Sequence, residues 1–583
     1  MLTTLLLAAL LTTGSPDKTD LKTPYEKGNG NITATYEEAI EWYKTLDKAY
    51  DEVKMVPYGY TDSGRLLHLV IVSTDKDFDP ASVKQKNKRV LLIQNGIHPG
   101  EPEGIDATMM LVRDYLQDKK KRKQLDNVIL AIIPVYNIGG ALNRNSHTRT
   151  NQEGPEVYGF RGNARNLDLN RDYIKTDSRN AKLFHLIFRD WDPDVFMDNH
   201  TSNGADYQHV MTLIATQHNK LNPTLAGYLN SKMLPTLYSG MKQDKFPMVP
   251  YMNTIDETPD KGIVGFMESP RYATGYTALY NTIGFVPETH MLKPFNQRVQ
   301  ATYKLMENMI ETVHRDADEI GRLRAQAKKE TLQQQNFNLN WQLDTTKVEQ
   351  IPFLGYAAKY KASEVSGLER LYYDRKAPYS RNINYYNTFT PTTTVQKPVA
   401  YIIPFAWHEV IDRLKTNKVE MQQLTKDTTI AVDTYYITDY KTSPRAYEGH
   451  YIHSDVKVEN RTMKRQFLKG DYVVFLNQEA NRFLVETLEP QGPDSYFAWN
   501  FFDSILMQKE YFSSYVFEDL AAEYLKKNPK LREQLEARKK QDPEFAKNAR
   551  AQLDFVYKNS PHYEFTHNMY PVGRLMQDVK LPL

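Results

Sequence analysis

Between residues 35 and 335 the apolar positions of this chain switch repeatedly between two periods. Residues 66–73, 89–94 and 128–135 are short apolar runs, the last reading Val128-Ile129-Leu130-Ala131-Ile132-Ile133-Pro134-Val135. Runs of that length and β-branched content predict strands, and the last is a candidate for burial on both faces. The stretches between them take a helical period. Thr35 stands before Tyr36-Glu37-Glu38-Ala39-Ile40, an N-cap followed by acids in the first turn. Residues 102–118 predict a helix with Pro102 near its start, residues 180–189 a second, and residues 296–334 one long helix after Pro294. Residues 194–198 and 283–288 add two short strands. Such alternation predicts an α/β fold with a mixed, largely parallel sheet flanked by helices. In sheets of this kind ligands gather beyond the carboxyl ends of the strands.

The pattern changes near Phe337. Tyr- and Thr-rich strands follow at 399–404, 429–437 and 472–476, and Lys/Glu-rich helical segments at 517–527 and 531–540. The expected organisation is a first domain over 35–335 and a mixed β-rich plus helical C-terminal module over 340–583, of unassigned role. A length of 583 residues is too great for one core and agrees with that division. No internal repeat is apparent. Histidines 408, 450, 453, 562 and 567 form no ligand pattern.

Residues 16–33 read as a polar linker. Before it, residues 1–15 read as a signal peptide whose apolar stretch is too short to span a bilayer. The expected location is secreted or periplasmic. No other uncharged apolar run approaches the roughly 18 residues a membrane helix needs. A net charge of +2 supplies no field that would draw the chain to nucleic acid or an anionic membrane. Lys119-Lys120-Lys121-Arg122-Lys123 reads as the solvated end of a helix, where cations suit the dipole. The absence of cysteine excludes thiol nucleophiles, Cys-ligated zinc and disulfides.

Four clusters carry candidate chemistry. After the 89–94 strand, Gly96-Ile97-His98-Pro99-Gly100-Glu101 puts an imidazole and a carboxylate in one tight turn. After the 194–198 strand comes His200. Two histidines and a glutamate leave a tetrahedral zinc with one open position, the arrangement of catalytic rather than structural zinc. Arg161 to Asp172 concentrates guanidinium and amide groups, which suit a carboxylate and a polarised carbonyl. Gly284-Phe285-Val286-Pro287-Glu288 ends an apolar strand in a carboxylate, a placement that raises a pKa as a general base requires.

In order and spacing, His98-x-x-Glu101, Arg161-x-Asn163 leading to Asp168-Leu169-Asn170-Arg171, His200 and Glu288 resemble the signature of the carboxypeptidase A-like zinc carboxypeptidases, peptidase family M14. The resemblance covers about residues 35–330 and implies a carboxypeptidase-like sheet. It further implies one Zn²⁺ on His98, Glu101 and His200, with Asp168 fixing the tautomer of a ligand histidine. Asn170 and Arg171 would hold the terminal carboxylate of a peptide substrate, Arg161 the oxyanion, and Glu288 would take a proton from zinc-activated water. Asn166 replaces the family's usual glycine and tolerates the same left-handed backbone. The Arg-x-Asn spacing recurs at Arg149-Thr150-Asn151, so Arg149, Arg161 and Arg165 all remain candidates for the oxyanion. Tyr276 is taken as the tyrosine that closes over substrate, with Tyr272 as the alternative. Arg271 in the same segment suits either an acidic substrate side chain or a structural ion pair. The expected activity is release of a C-terminal residue from a peptide, including a cell-wall peptide. Two alternatives stand beside it: an N-acyl amino acid deacylase like aspartoacylase or succinylglutamate desuccinylase, and a catalytically silent peptide-binding module.

Overall fold

The computed structural model describes residues 21–583; the expected signal peptide lies outside the described residues. Its strands are β1 (Val53–Tyr60), β2 (Leu66–Val72), β3 (Arg89–Gln94), β4 (Val128–Ile133), β5 (Val195–Asp198), β6 (His200–Ser202), β7 (Met211–Ala215), β8 (Val249–Pro250), β9 (Ile263–Val264) and β10 (Ile283–His290). All but β9 form one nine-stranded sheet in the order β1-β2-β4-β3-β5-β10-β7-β8, with β6 alongside β10. Pairing is parallel from β4 through β3 and β5 to β10, and antiparallel at β1–β2, β2–β4 and β10–β7. The expected mixed, largely parallel sheet is what forms.

Every residue of β3 and β4 is buried, as their unbroken apolar pattern requires. Each such aliphatic side chain contributes about 1.5–3 kcal/mol relative to exposure. Helices Glu103–Gln117 and Phe295–Arg315 pack on one another, and the second also lies against β3 and β4. Helix Arg179–Trp191 packs on β1 and β2. Thr35 caps helix Tyr36–Ala49 in a complete capping box with Glu38, worth about 1 kcal/mol. The long helix expected over 296–334 is two helices, Phe295–Arg315 and Ala317–Gln333. Asp316 separates them, its carboxylate engaged by Tyr228 and Arg315.

The chain divides into two compact units. The first comprises residues up to Gln334 with Trp341–Thr392 and Thr416–Lys418; the second comprises Gln335–Asn340, Thr393–Lys415 and Val419–Leu583. The first unit thus takes in a long hairpin, Glu349–Ala362 with Glu369–Tyr386, to which β9 adds a parallel strand. The second unit holds a six-stranded sheet whose core includes Ile402, Val432, Phe467, Val473 and Leu575, and a helical cluster around Phe517, Leu535 and Tyr557. Among the described residues no helix is long and apolar enough to cross a membrane.

Candidate active site

β3 ends at Gln94, and the chain turns at Gly96, whose φ of 64° favours glycine. Glu101 N–H donates to the His98 carbonyl at 2.8 Å, closing the turn before helix Glu103–Gln117. His98 and Glu101 are therefore buried at the carboxyl end of β3, each 2% exposed. Glu103 anchors the turn from behind, meeting Arg298 Nε at 2.5 Å and accepting from Thr201 Oγ1 at 2.8 Å. The neighbouring strand brings the next group. Gln94 is the register partner of Asp198, so β5 ends level with β3 and His200 follows at once. On the far side, Glu288 of β10 is the register partner of His200 of β6. The ends of β3 and β5 thus converge on the interior of β10.

His98 Nδ1 lies 3.2 Å from Glu101 Oε1, and His200 Nδ1 lies 3.1 Å from Glu101 Oε2. Ligands about 2.0–2.1 Å from a tetrahedral zinc stand about 3.3 Å apart, so the spacing fits. One ligand atom from each of the three residues falls within 4.8 Å of the others. His98 Nδ1 is buried without a hydrogen-bond partner among the described residues, as an atom reserved for a metal would be. The other ring nitrogens face carboxylates: His98 Nε2 is 2.9 Å from Asp168 Oδ1, and His200 Nε2 is 3.1 Å from Asp198 Oδ2. A carboxylate behind each imidazole turns Nδ1 towards the shared point. The donor set fits one zinc ion.

Charge is distributed unevenly here. Burial tends to raise the Glu101 carboxyl, but His98 and Arg149 reverse that and hold it well below the usual carboxylate range. Glu288 goes the other way: burial pushes it up to about 8, with Glu101 adding and His200 opposing. Two carboxyls in one site are thereby driven apart, one fit to ligate and one to exchange a proton.

A cavity of about 500 Å³ joins these groups. His98, Glu101, His200, Glu288, Asn170 and Arg171 all line it, so the structure brings together most of the residues singled out in the sequence. Asn163 shapes the approach by accepting from Arg165 N–H and Leu167 N–H, and Asn166 takes the left-handed turn at φ 58°. Asn170 Oδ1 is buried without a hydrogen-bond partner among the described residues, and Arg171 lies over the Tyr272 ring at 4.5 Å. Of the three oxyanion candidates, Arg149 and Arg161 line the cavity. Arg161 is held by Asp168 and stands 3.5 Å from Glu101 Oε1; Arg149 contacts Glu101 and donates to the Gly100 carbonyl at 3.0 Å. Arg165 does not line it and donates to the Asp177 carbonyl.

Tyr276 is not where the sequence reading put it. It is 0% exposed in helix Ala273–Thr277, stacked on His185 at 4.8 Å and donating to Asn417 Oδ1 at 2.7 Å. A hydroxyl and ring so enclosed cannot close over a substrate. Tyr272 and Tyr251 line the cavity instead. Sequence reasoning also passed over Asp198 and Glu268. Asp198 carried a signal, standing two residues before a ligand histidine at a strand end; Glu268, in an irregular loop, carried none.

A family description, zinc carboxypeptidase, matches residues 39–308. Carboxypeptidase 2 of Trichophyton rubrum is 21% identical over 441 residues, spanning 71% of this chain and 75% of that protein. Carboxypeptidase 2 of Trichophyton tonsurans is 21% identical over 482 residues, spanning 78% and 79%. Among solved structures, carboxypeptidase A from Helicoverpa armigera aligns at 16% identity over 52% of this chain and 75% of that one, with a TM-score of 0.37. Residues 39–308, which carry the His98–Glu101–His200 set, match the zinc carboxypeptidase family of peptide-bond hydrolases.

Proposed function

We propose that this protein is a zinc-dependent metallocarboxypeptidase that hydrolyses the C-terminal amide bond of a peptide, with Glu288 as general base. The observation that carries the reading is the convergence in one cavity of a zinc ligand set, a buried carboxyl of raised pKa and an Asn–Arg pair suited to a carboxylate. Zinc, when bound, supplies Lewis-acid chemistry that polarises a carbonyl and acidifies water. The rest falls to the chain. Arg171, through paired guanidinium donors, and Asn170, through its amide N–H, hold the terminal carboxylate of the peptide, and the buried Asn170 Oδ1 is left to accept from a substrate N–H. Asp168 holds His98 by its far nitrogen. Glu288 accepts the proton of the attacking water and returns it to the departing amine, a role its raised pKa serves near neutral pH. Arg161 or Arg149 meets the negative charge that develops on the carbonyl oxygen.

The ligand set and base are complete, which argues against a silent binding module. Replacing Glu288 with Gln should abolish turnover while leaving stoichiometric zinc, read by metal analysis and mass spectrometry of peptide products. A Gln variant with full activity sinks the assignment of the base. Incubation with free peptides, muropeptides and small N-acyl amino acids settles the substrate class. Loss of one C-terminal residue from a peptide or muropeptide supports the carboxypeptidase reading, and cleavage of N-acyl amino acids alone supports the deacylase.

A further inference from the structure

Beside the catalytic cavity, and within the same compact unit, lies a second and larger one of about 720 Å³. Leu234 and Tyr238 face it from the helical segment 229–243; Ile351, Leu354 and Tyr385 face it from the 349–386 hairpin. Leu229–Met233 is a π-helical turn, a feature frequent at functional sites, and it sets Asn230 and the following Leu234 against the cavity. Pro247, Met248 and Pro250 continue the apolar surface, while the tyrosines carry polar atoms. Among the described residues neither the Tyr238 nor the Tyr385 hydroxyl has a hydrogen-bond partner. Burial raises both phenols and lowers the imidazole of His218, which also lines the cavity, so all three stay uncharged near neutral pH. Its two charged residues, Lys242 and Glu349, are exposed and opposite in sign. Small-molecule sites take this form, apolar walls with a few hydrogen-bonding groups. An ionised occupant would lose its hydration without gaining a buried counter-ion, whereas an uncharged polar group would satisfy the two phenols.

A neck of about 50 Å³ separates the two cavities. It shares Tyr238, Pro250 and Tyr385 with the outer cavity, and Ile214, Tyr251 and Phe266 with the catalytic one. Two backbone connections cross there. Pro250 is followed directly by Tyr251, whose N–H donates to the Leu213 carbonyl at 3.2 Å. Tyr385 is the register partner of Ile263 in β9, and Gly265 N–H donates to the Tyr386 carbonyl at 2.7 Å just before Phe266. A Cβ on Gly265 would overlap Asn387 Oδ1, so hairpin and cavity wall approach as closely as glycine permits. A shift of Pro250 or Tyr385 is therefore passed over one or two residues to Tyr251 and Phe266.

We propose that the outer cavity is a second ligand site, taking an uncharged molecule with an apolar body and a hydrogen-bonding group, and that its occupancy alters peptide binding in the catalytic cavity. Ligand binding there is independent of the carboxypeptidase reading; the effect on peptide binding rests on it.

The probe is N-phenyl-naphthylamine, an uncharged aromatic body with one N–H that fluoresces in apolar surroundings. Anilinonaphthalene sulfonate has the same body with a fixed negative charge. Titrated into the full-length zinc-loaded protein, the amine should fill one saturable site, and the sulfonate should bind about tenfold more weakly or worse. Leu234→Trp and Ile351→Trp fill the cavity from opposite walls. Each should weaken the amine about tenfold while turnover in its absence persists. At saturating amine the KM of a blocked peptide should shift about fivefold or more, and both variants should lose the shift. Absence of saturable binding, or equal binding of the sulfonate, overturns the site. Amine binding undiminished in both variants also overturns it, because the probe then sits elsewhere. A KM unmoved by bound amine overturns the effect on peptide binding. Turnover of no peptide overturns the carboxypeptidase reading and that effect with it, and the fluorescence titration then decides the ligand site alone.

Discussion

Asp198 and the two cavity arginines show how a single side chain acts through its neighbour. Asp198 stands behind His200, and Tyr173 OH donates to Asp198 Oδ2 at 2.9 Å while accepting from Gln94 Nε2 at 2.7 Å. Asp198→Asn should therefore weaken zinc binding by about 10- to 100-fold, measured by competition with a chelator. Unchanged affinity would mean that the contact does not orient His200. Arg149 and Arg161 are separated by paired substitutions. Alanine at the one facing the oxyanion should lower kcat about 10²- to 10³-fold, and alanine at the other mainly disturbs its own carboxylate partner. Glu288 sets the pH response. As a base it works deprotonated, so kcat/KM should rise with pH through its pKa. Burial places that pKa at about 8 without metal, and a divalent cation beside it lowers the value. The acid limb of the zinc-loaded enzyme should accordingly fall below pH 8; a profile with no acid limb at all would exclude Glu288.

At the scale of elements, the turn after β3 and the segment that precedes helix Tyr36–Ala49 have separate anchors. In the turn, a Cβ on Gly100 would lie 2.7 Å from Arg149 Cδ and 3.0 Å from the Gly159 carbonyl oxygen. Gly100→Ala should cost about 1–3 kcal/mol in urea unfolding, because backbone on one side cannot yield. The segment is held by Asp106 of helix Glu103–Gln117, which accepts from Thr33 Oγ1 at 2.5 Å and from Ala34 N–H at 3.1 Å. Burial pushes the Asp106 carboxyl up to about 7 from 3.8, against the opposing hydrogen bonds from Thr33 and Ala34. The raised value means the folded state favours the protonated form. Its contribution to stability is full below pH 3.8 and is lost as pH rises through about 7. Each pH unit within that window costs at most about 1.4 kcal/mol. Asp106→Asn, which keeps an acceptor for Ala34 N–H and sets an amide donor where Thr33 Oγ1 can accept, should flatten the fall in Tm across this range. A slope identical to wild type would show that Asp106 ionises freely in the folded protein.

For the whole molecule, zinc binding should couple to folding, since His200 is distant in sequence from His98 and Glu101 and meets them only in the native sheet. Adding zinc to metal-stripped protein should raise Tm, with about 4 kcal/mol expected at a thousandfold excess over Kd. His200→Ala should remove most of the rise. Much of this arrangement was legible in the chain itself. Unbroken apolar runs identified β3, β4 and β5, because a strand buried on both faces tolerates no polar alternation. His98, Glu101 and His200 were legible because they follow strand ends, where chain direction alone predicts that ligands gather; Glu288 was legible as the carboxylate of an apolar strand, although it lies within β10 and not at its end. Asn166 was legible because few residues accept a left-handed turn. What could not be read is whatever depends on the orientation of a side chain outside regular structure. Tyr272 and Tyr276 are four residues apart in one segment, yet one lines the cavity and the other stacks on His185. The hairpin over 349–386 has the composition of the C-terminal module but belongs to the first compact unit. Glu268 shows no local pattern at all. The sequence by itself determined the strands, most of the chemistry-bearing positions and the resemblance to the zinc carboxypeptidases, because periodicity and spacing are local. The tertiary structure alone decided which tyrosine, which arginines and which second carboxylate line the cavity, because burial and direction follow from contacts between residues far apart in the chain.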